Sequence, residues 1–256
     1  MCARYLIVFG MTKTTPLIVI VGETASGKSA LALELAQQFN GEIICADSST
    51  IRREVNIGSA KPSVEERALV PHHLLDVIGP DEAFTAAQFQ KLANSAIADI
   101  SSRDKLPIMV GGSGLYIDSI VYDYNFFGKG EAVDRHEMRD NTLVIGIKIE
   151  RDELRQRVSD RVDQMFEAGL EGEVQQLVER HGWTCAALKG VGYSQWRDYF
   201  EASQTVAETR QKIIRDTMDL AKRQRTWFKR NKSIHWFINP VKRTSVVDCV
   251  TTFLSK

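Results

Sequence analysis

Cysteine is scarce in this chain. The four present, Cys2, Cys45, Cys185 and Cys249, lie far apart, with no C-x-x-C pair. That spacing excludes the common zinc-ligand patterns and a disulfide framework, and it fits a reducing, cytoplasmic setting. Long hydrophobic runs are also missing. The cleanest one near the start, Leu17–Val21, is far too short to span a bilayer, so no membrane role is expected. Net charge is absent as well: Lys and Arg number 33, and Asp and Glu number 33. No global field therefore draws the chain toward nucleic acid, and any such contact must rest on a local patch. Repeats and low-complexity segments are lacking too. What remains, 43% hydrophobic and 26% charged over 256 residues, is ordinary globular composition, long enough for one or two domains.

The first half alternates strand and helix patterns. Leu17–Val21 reads as a buried parallel strand ending at Gly22, and Ser29–Phe39 as a helix closed by Asn40-Gly41. Strands are expected at Glu42–Ala46, Leu74–Val77, Pro107–Val110 and Thr142–Ile149, and helices at Thr85–Ser101 and Leu115–Tyr122. The fold class is therefore α/β, a parallel sheet flanked by helices. After Glu150 the pattern turns to helices only: Asp152–Gly169, Glu171–His181 and Val206–Asn231. The expected organisation is a short N-terminal extension over residues 1–16, with Met11 a candidate start, and an α/β core over 17–150. A helical region over 151–238 and a C-terminal tail follow.

Gly22-Glu23-Thr24-Ala25-Ser26-Gly27-Lys28-Ser29 matches G-x-x-x-x-G-K-[ST], with a strand before it and a helix after. Glycines let several backbone N–H groups converge on one anion, and the helix N-terminus adds positive potential. Lys28 supplies a mobile charge and Ser29 a hydroxyl for Mg²⁺. ATPases of this type place an Asp at the end of another apolar strand to hold the metal. Here Pro107–Val110 ends in Gly111-Gly112-Ser113-Gly114, and Asp76 after Leu74-Leu75 is a weak substitute. The loop thus reads as a grip on a diphosphate whose departure is the chemistry.

Further motifs follow in order: Asp47-Ser48, Asn56–Pro62, Pro71–Asp76, Gly111–Tyr116, Arg161–Met165, Gly192-Tyr193 and Lys222–Phe228. With the phosphate loop they closely resemble the tRNA dimethylallyltransferase (tRNA isopentenyltransferase) family, from about Leu17 to Arg230. The resemblance implies transfer of a dimethylallyl group from dimethylallyl diphosphate to N6 of adenosine 37, beside the anticodon of tRNA, with Mg²⁺ required. It implies catalytic roles for Asp47, as acceptor of the amine proton, and for Ser113 and Arg161. Gly22, Thr24, Ala25, Ser26, Gly27, Lys28, Ser29 and Arg157 would hold the diphosphate. A tRNA anticodon stem-loop would meet Asp47, Ser48, Ser49, Thr50, Lys189, Gly192 and Tyr193. It would also meet Lys222, Arg223, Gln224, Arg225, Thr226, Trp227 and Lys229. A monomer is expected.

Each role has a plainer reading. Asp47 can be a turn carboxylate, and Ser113 a helix cap. Arg157 and Arg161 can pair with neighbouring acids at i,i+4 spacing. The run Lys222–Lys232 can be a solvated helix face with Trp227 and Phe228 in the core. His72 and His73 read as structural or as contacts to a substrate loop, not as metal ligands.

The chain also departs from the family. Glu23 replaces the usual Pro in the phosphate loop, and a carboxylate beside a diphosphate is unfavourable. Thr50, Arg52, Arg53 and Glu54 replace the usual Gln and Tyr-x-Gly. Only Asp123–Asn141 fills the space of the family's helical insertion, which clamps the anticodon stem-loop. Three alternatives therefore stay open: prenylation of free adenine nucleotides, a P-loop small-molecule kinase, and a non-catalytic tRNA-binding relative.

Overall fold

The computed structural model describes residues 15–126 and 137–255. Most of the expected N-terminal extension, and the middle of the expected 123–141 loop, lie outside them.

Six parallel strands form one sheet. They are β1 (Leu17–Gly22), β2 (Gly41–Ala46), β3 (His72–His73), β4 (Leu106–Gly111), β5 (Thr142–Lys148) and β6 (His235–Ile238). Their order is β3-β2-β4-β1-β5-β6. The strand β1 is central and every residue of it is buried, which is why it reads as an unbroken apolar run rather than an alternation. Leu17, Val19 and Val21 face one side, packed on helices α3 (Ala86–Ser102) and α4 (Gly114–Val121). Ile18 and Ile20 face the other, against α1 (Lys28–Gln38) and α9 (Arg243–Leu254). The short helix α2 (Val64–Leu69) starts at Ser63 in a reciprocal capping box with Glu66.

A helical layer completes the molecule. It comprises α5 (Arg151–Glu167), α6 (Leu170–His181), α7 (Arg197–Phe200) and the long α8 (Val206–Phe228). Leu154, Val158 and Val162 of α5 meet Ile213, Ile214 and Ala221 of α8 in a core of their own, with Trp196 at its centre.

Two expectations are corrected. No strand runs over Leu74–Val77: Leu74 (φ 63°) and Asp76 (φ 58°) are left-handed, which breaks an extended run, and pairing with Ile43 and Ile44 falls instead on His72 and His73. The region beyond Glu150 is not purely helical. The strand β6 pairs with Ile145–Lys148, and Val246 and Val250 of α9, in the expected tail, are fully buried under the sheet.

Candidate active site

The carboxyl ends of β1, β2 and β4 open into a cleft of about 1040 Å³, its mouth included. Thr24, Lys28 and Ser29 line it from the phosphate loop, Asp47, Ser49 and Thr50 from the end of β2, and Arg161 from α5. Gly58 and Gly192 line it from the loops between. This is the position at which parallel α/β sheets bind ligands.

The phosphate loop turns from β1 into α1 through Gly27, whose φ of 91° is the left-handed N-cap that L side chains rarely adopt. No side chain caps α1, and the first-turn amides of Lys28 and Ser29 find no acceptor among the described residues. They are orphan donors at the positive end of a helix, suited to an anion. The amides of Thr24 and Ser26 are not available in the same way. Thr24 N–H donates to Gln224 Oε1 (2.7 Å), and Ser26 N–H to Glu23 O (3.2 Å). Two of the amides expected to hold the diphosphate thus already have acceptors within the fold. The Ser26 hydroxyl is buried without a partner.

Two cations share this pocket with one carboxylate. Burial, and then the nearby Arg161 charge, push the Lys28 ammonium down to about 8, while Asp47 and Glu23 pull it back up. Burial likewise lowers Arg161, against the pull of Asp47. Lys28 Nζ donates to Glu23 O (3.1 Å), and Arg161 Nη1 lies 3.4 Å from Thr24 Oγ1. Two desolvated cations that repel each other define a site short of negative charge, which a diphosphate would supply. Asp47 Oδ1 accepts Ser49 N–H (2.8 Å) and, at longer range, Thr50 N–H (3.4 Å), which fixes its turn at the strand end. The Cys45 thiol on the cleft floor is pushed up to about 12 by burial and by Asp47. The Thr50 hydroxyl also lines the cleft, 6% exposed and unpartnered.

Ser113 occupies the N-cap position of α4, yet its side chain makes no cap bond. Its Oγ accepts Ser48 N–H (3.0 Å), so the β4 turn is pinned to the Asp47-Ser48 turn. Arg157 sits behind the loop, donating to Glu153 (2.7 Å) and Asn239 Oδ1 (3.3 Å). Asn239 Nδ2 in turn donates to Ser26 O (2.8 Å).

The basic segment divides in two. Lys222, Arg223, Thr226, Lys229 and Arg230 are exposed, as is Lys189 on its own loop. Of the others expected to meet tRNA, Gln224 is buried, while Arg225 and Trp227 are half-buried and bonded to the core. Arg225 Nε donates to Glu23 Oε1 at 2.5 Å, and Trp227 Nε1 to Asp118 Oδ2 at 2.8 Å. This accounts for Glu23: the residue is buried and its carboxylate is paired with an arginine. Burial still raises its pKa, opposed chiefly by Arg225, so the pair is held by the fold at a cost.

Tyr193 is 1% exposed, and its hydroxyl donates to Glu173 Oε1 (2.7 Å). The same Glu173 accepts the amides of Asn56, Ile57 and Gly58. The Tyr193 ring lies where a Cβ on Gly58 would come within 2.5 Å, which requires glycine there. These motif residues therefore hold the cleft wall. Asp76 is tied to Lys61 (2.6 Å) and is not among the residues lining the cleft. The sequence reading missed Glu173 and Asn239 entirely.

No group of three or more His, Cys, Asp or Glu among the described residues is placed to hold a metal ion. No helix among them is long and apolar enough to cross a membrane.

Known proteins share this arrangement. The sequence model of a family described as IPP transferase matches residues 50–141 and 128–231. The tRNA dimethylallyltransferase of Desulforudis audaxviator is 35% identical over 287 aligned positions, covering 88% of this chain and 93% of that protein. That of Staphylococcus aureus is 33% identical over 291 positions, covering 88% and 94%. Both alignments exceed the 256 residues of this chain, so the relatives carry segments that it skips. The full-length tRNA isopentenylpyrophosphate transferase of Bacillus halodurans superposes with a TM-score of 0.87 at 30% identity, covering 94% of this chain and 97% of that one. A second solved structure, the tRNA isopentenylpyrophosphate transferase of Staphylococcus epidermidis, gives 0.84 at 31%, covering 94% and 99%. With its phosphate loop, its strand-end aspartate and these relatives in register along most of its length, the chain belongs to the IPP transferase family.

Proposed function

We propose that this protein transfers a dimethylallyl group from dimethylallyl diphosphate to N6 of adenosine 37 in tRNA, releasing diphosphate. The observation that carries this reading is a single cleft lined by two half-buried cations, Lys28 and Arg161, and one carboxylate, Asp47. An aromatic exocyclic amine is a poor nucleophile, so departure of the diphosphate must be assisted. Lys28, Arg161 and the free amides of Lys28 and Ser29 take up the charge that grows on it. Asp47, at the end of β2, accepts a hydrogen bond and then the proton from the amine. Ser113, by holding the Ser48 amide, keeps the Asp47 turn against β4.

Mg²⁺ fits the donor set only as a passenger of the diphosphate, with the Ser29 hydroxyl as its protein oxygen, and it would neutralise charge on the leaving group. The exposed cations Lys222, Arg223, Lys229 and Lys189 would take tRNA phosphates, and the adenine must leave its stack to reach the cleft. This exposed basic face favours tRNA over free adenine nucleotides, which would leave it without a use. We further propose that the protein works as a monomer in the cytoplasm, and that the family's insertion is missing between β4 and β5.

The test is direct. Purified protein, Mg²⁺, dimethylallyl diphosphate and tRNA lacking the modification are incubated, and the digested tRNA is read by mass spectrometry. Isopentenyl-adenosine at position 37 is the expected product. Its absence with every anticodon arm tried would sink the reading.

A further inference from the structure

We propose that Gln224 and Asn239 are positioning residues of the diphosphate loop, an external brace that holds its backbone in the anion-binding shape. The inference rests on the reading that this loop grips a diphosphate.

The loop is held at both of its turns by side chains from the far end of the chain. Gln224 Oε1 accepts Thr24 N–H at 2.7 Å, while its Nε2 donates to Gly112 O at 3.2 Å. Both ends of the amide are used, which fixes its orientation: reversed, it would set donor against donor and acceptor against acceptor. The side chain is buried and sits between Ala221 and Phe228 on the inner face of α8, so it has little freedom of its own. Asn239, in the turn after β6, donates to Ser26 O at 2.8 Å and is itself oriented by Arg157. Arg225 adds a third tether through the Glu23 carboxylate.

The chemistry of these tethers explains their form. Gln224 takes up the amide of Thr24, leaving the first-turn amides of Lys28 and Ser29 to the ligand. A neutral amide does this without placing negative charge beside the diphosphate, whereas the one carboxylate in the loop, Glu23, requires its own arginine. Donor arrays stabilise developing charge only when their geometry is set in advance, so that binding does not first have to order the loop. The sheet and α1 fix the two ends of the loop. Gln224 and Asn239 fix what lies between.

Gln224→Met keeps length and packing and removes both polar ends; Asn239→Ala removes the second tether from outside the basic segment. Magnesium pyrophosphate binding by calorimetry, the KM for dimethylallyl diphosphate, the KM for tRNA and the melting temperature are compared with the parent. Each variant is expected to weaken pyrophosphate about tenfold and to raise the diphosphate KM to match, the scale of one lost hydrogen bond plus loop ordering. The tRNA KM should stay within about twofold of the parent on the same scale. A raised tRNA KM with unchanged pyrophosphate affinity would make Gln224 an RNA contact and overturn the proposal. A lowered melting temperature with unchanged pyrophosphate affinity would reduce the tethers to general packing and overturn it equally. If Gln224→Met does not fold, Asn239→Ala decides alone. Should the parent bind pyrophosphate yet prenylate no tRNA, the proposed function fails while the pyrophosphate arm still judges the brace.

Discussion

Asp47→Asn separates the chemical role of this residue from its structural one. Asp47 Oδ1 accepts the amides of Ser49 and Thr50, and an asparagine can keep both bonds through its own Oδ1. The turn should therefore survive and the melting temperature should stay close to that of the parent. What the substitution removes is the charge and the proton acceptor. Loss of a positioned general base lowers the chemical step by about 10²–10⁴-fold, so single-turnover transfer should fall by at least about 10². Pyrophosphate binding should move the other way. One negative charge is removed from beside an anion site, and a unit charge at this depth is worth of order 1 kcal/mol after screening, or about fivefold in affinity.

A second effect opposes that gain. Asp47 raises the Lys28 pKa, so without it Lys28 titrates below its present value of about 8. Binding must therefore be compared over a range of pH extending well below 8, so that the loss of the Lys28 proton is seen separately from the loss of the Asp47 charge. The assay is rapid-quench transfer to tRNA, read by mass spectrometry, beside calorimetry with magnesium pyrophosphate. A variant that keeps transfer within about fivefold of the parent would refute the base role, since that is far below the usual contribution. A variant that folds normally but loses pyrophosphate binding would refute the charge argument and place Asp47 on the cation side of the ligand.

Four further outcomes are expected. Corrected for the ligand's own ionisation, pyrophosphate affinity should be flat below pH 8 and fall by up to about tenfold per unit above it, as Lys28 of the free protein loses its proton. Lys28→Met should abolish that slope and, because the unfolded chain holds this proton more tightly than the folded one, should raise the melting temperature at pH 7. Replacing Lys222, Arg223 and Lys229 together by Gln should raise the tRNA KM and flatten its dependence on log salt by about 0.7–0.9 per lost phosphate contact, checked by titration across ionic strength; an unchanged salt slope would remove this face from the tRNA site. Glu42→Ala should cost about 2–4 kcal/mol in urea unfolding at pH 7, because this buried carboxylate accepts bonds from Arg103, Lys105 and His73. Those partners hold Glu42 well below the usual carboxylate range, so the contribution is present above pH 4.5 and lost as pH falls further, and the gap between parent and variant should close in acid.

Local signals were legible in the sequence and long-range ones were not. The phosphate loop and β1 could be read because each is one contiguous stretch whose spacing is dictated by backbone geometry. Leu74–Val77 was misread as a strand because apolar content does not reveal that Leu74 and Asp76 adopt positive φ. The strand β6 was missed because it is a four-residue edge strand, half exposed and preceded by a basic segment. The partners of Glu23 and Thr24 lie 202 and 200 residues away, and no periodicity reports such distances. One long-range signal is nevertheless present in the sequence. Ala221, Gln224 and Phe228 fall on one helical face, which marks Gln224 as inward even within a run of charges.

The absence of a strand-end metal carboxylate is a consequence of packing. Gly111 ends β4 where a Cβ would lie 2.0 Å from Ala46 O, so the close approach of β2 leaves no room for any side chain. Asp76, the other candidate, is pulled away by Lys61 and Arg67. Asp47 is then the only acid among the described residues lining the cleft, against two cations. A nucleotide-hydrolysing site needs its carboxylate on the metal, beside the phosphates. A site whose one carboxylate lies at the end of the neighbouring strand, turned by Ser49 and Thr50, has it free for a proton instead. On the proposed function, the same glycine that closes one chemistry leaves Asp47 as the acceptor for the other.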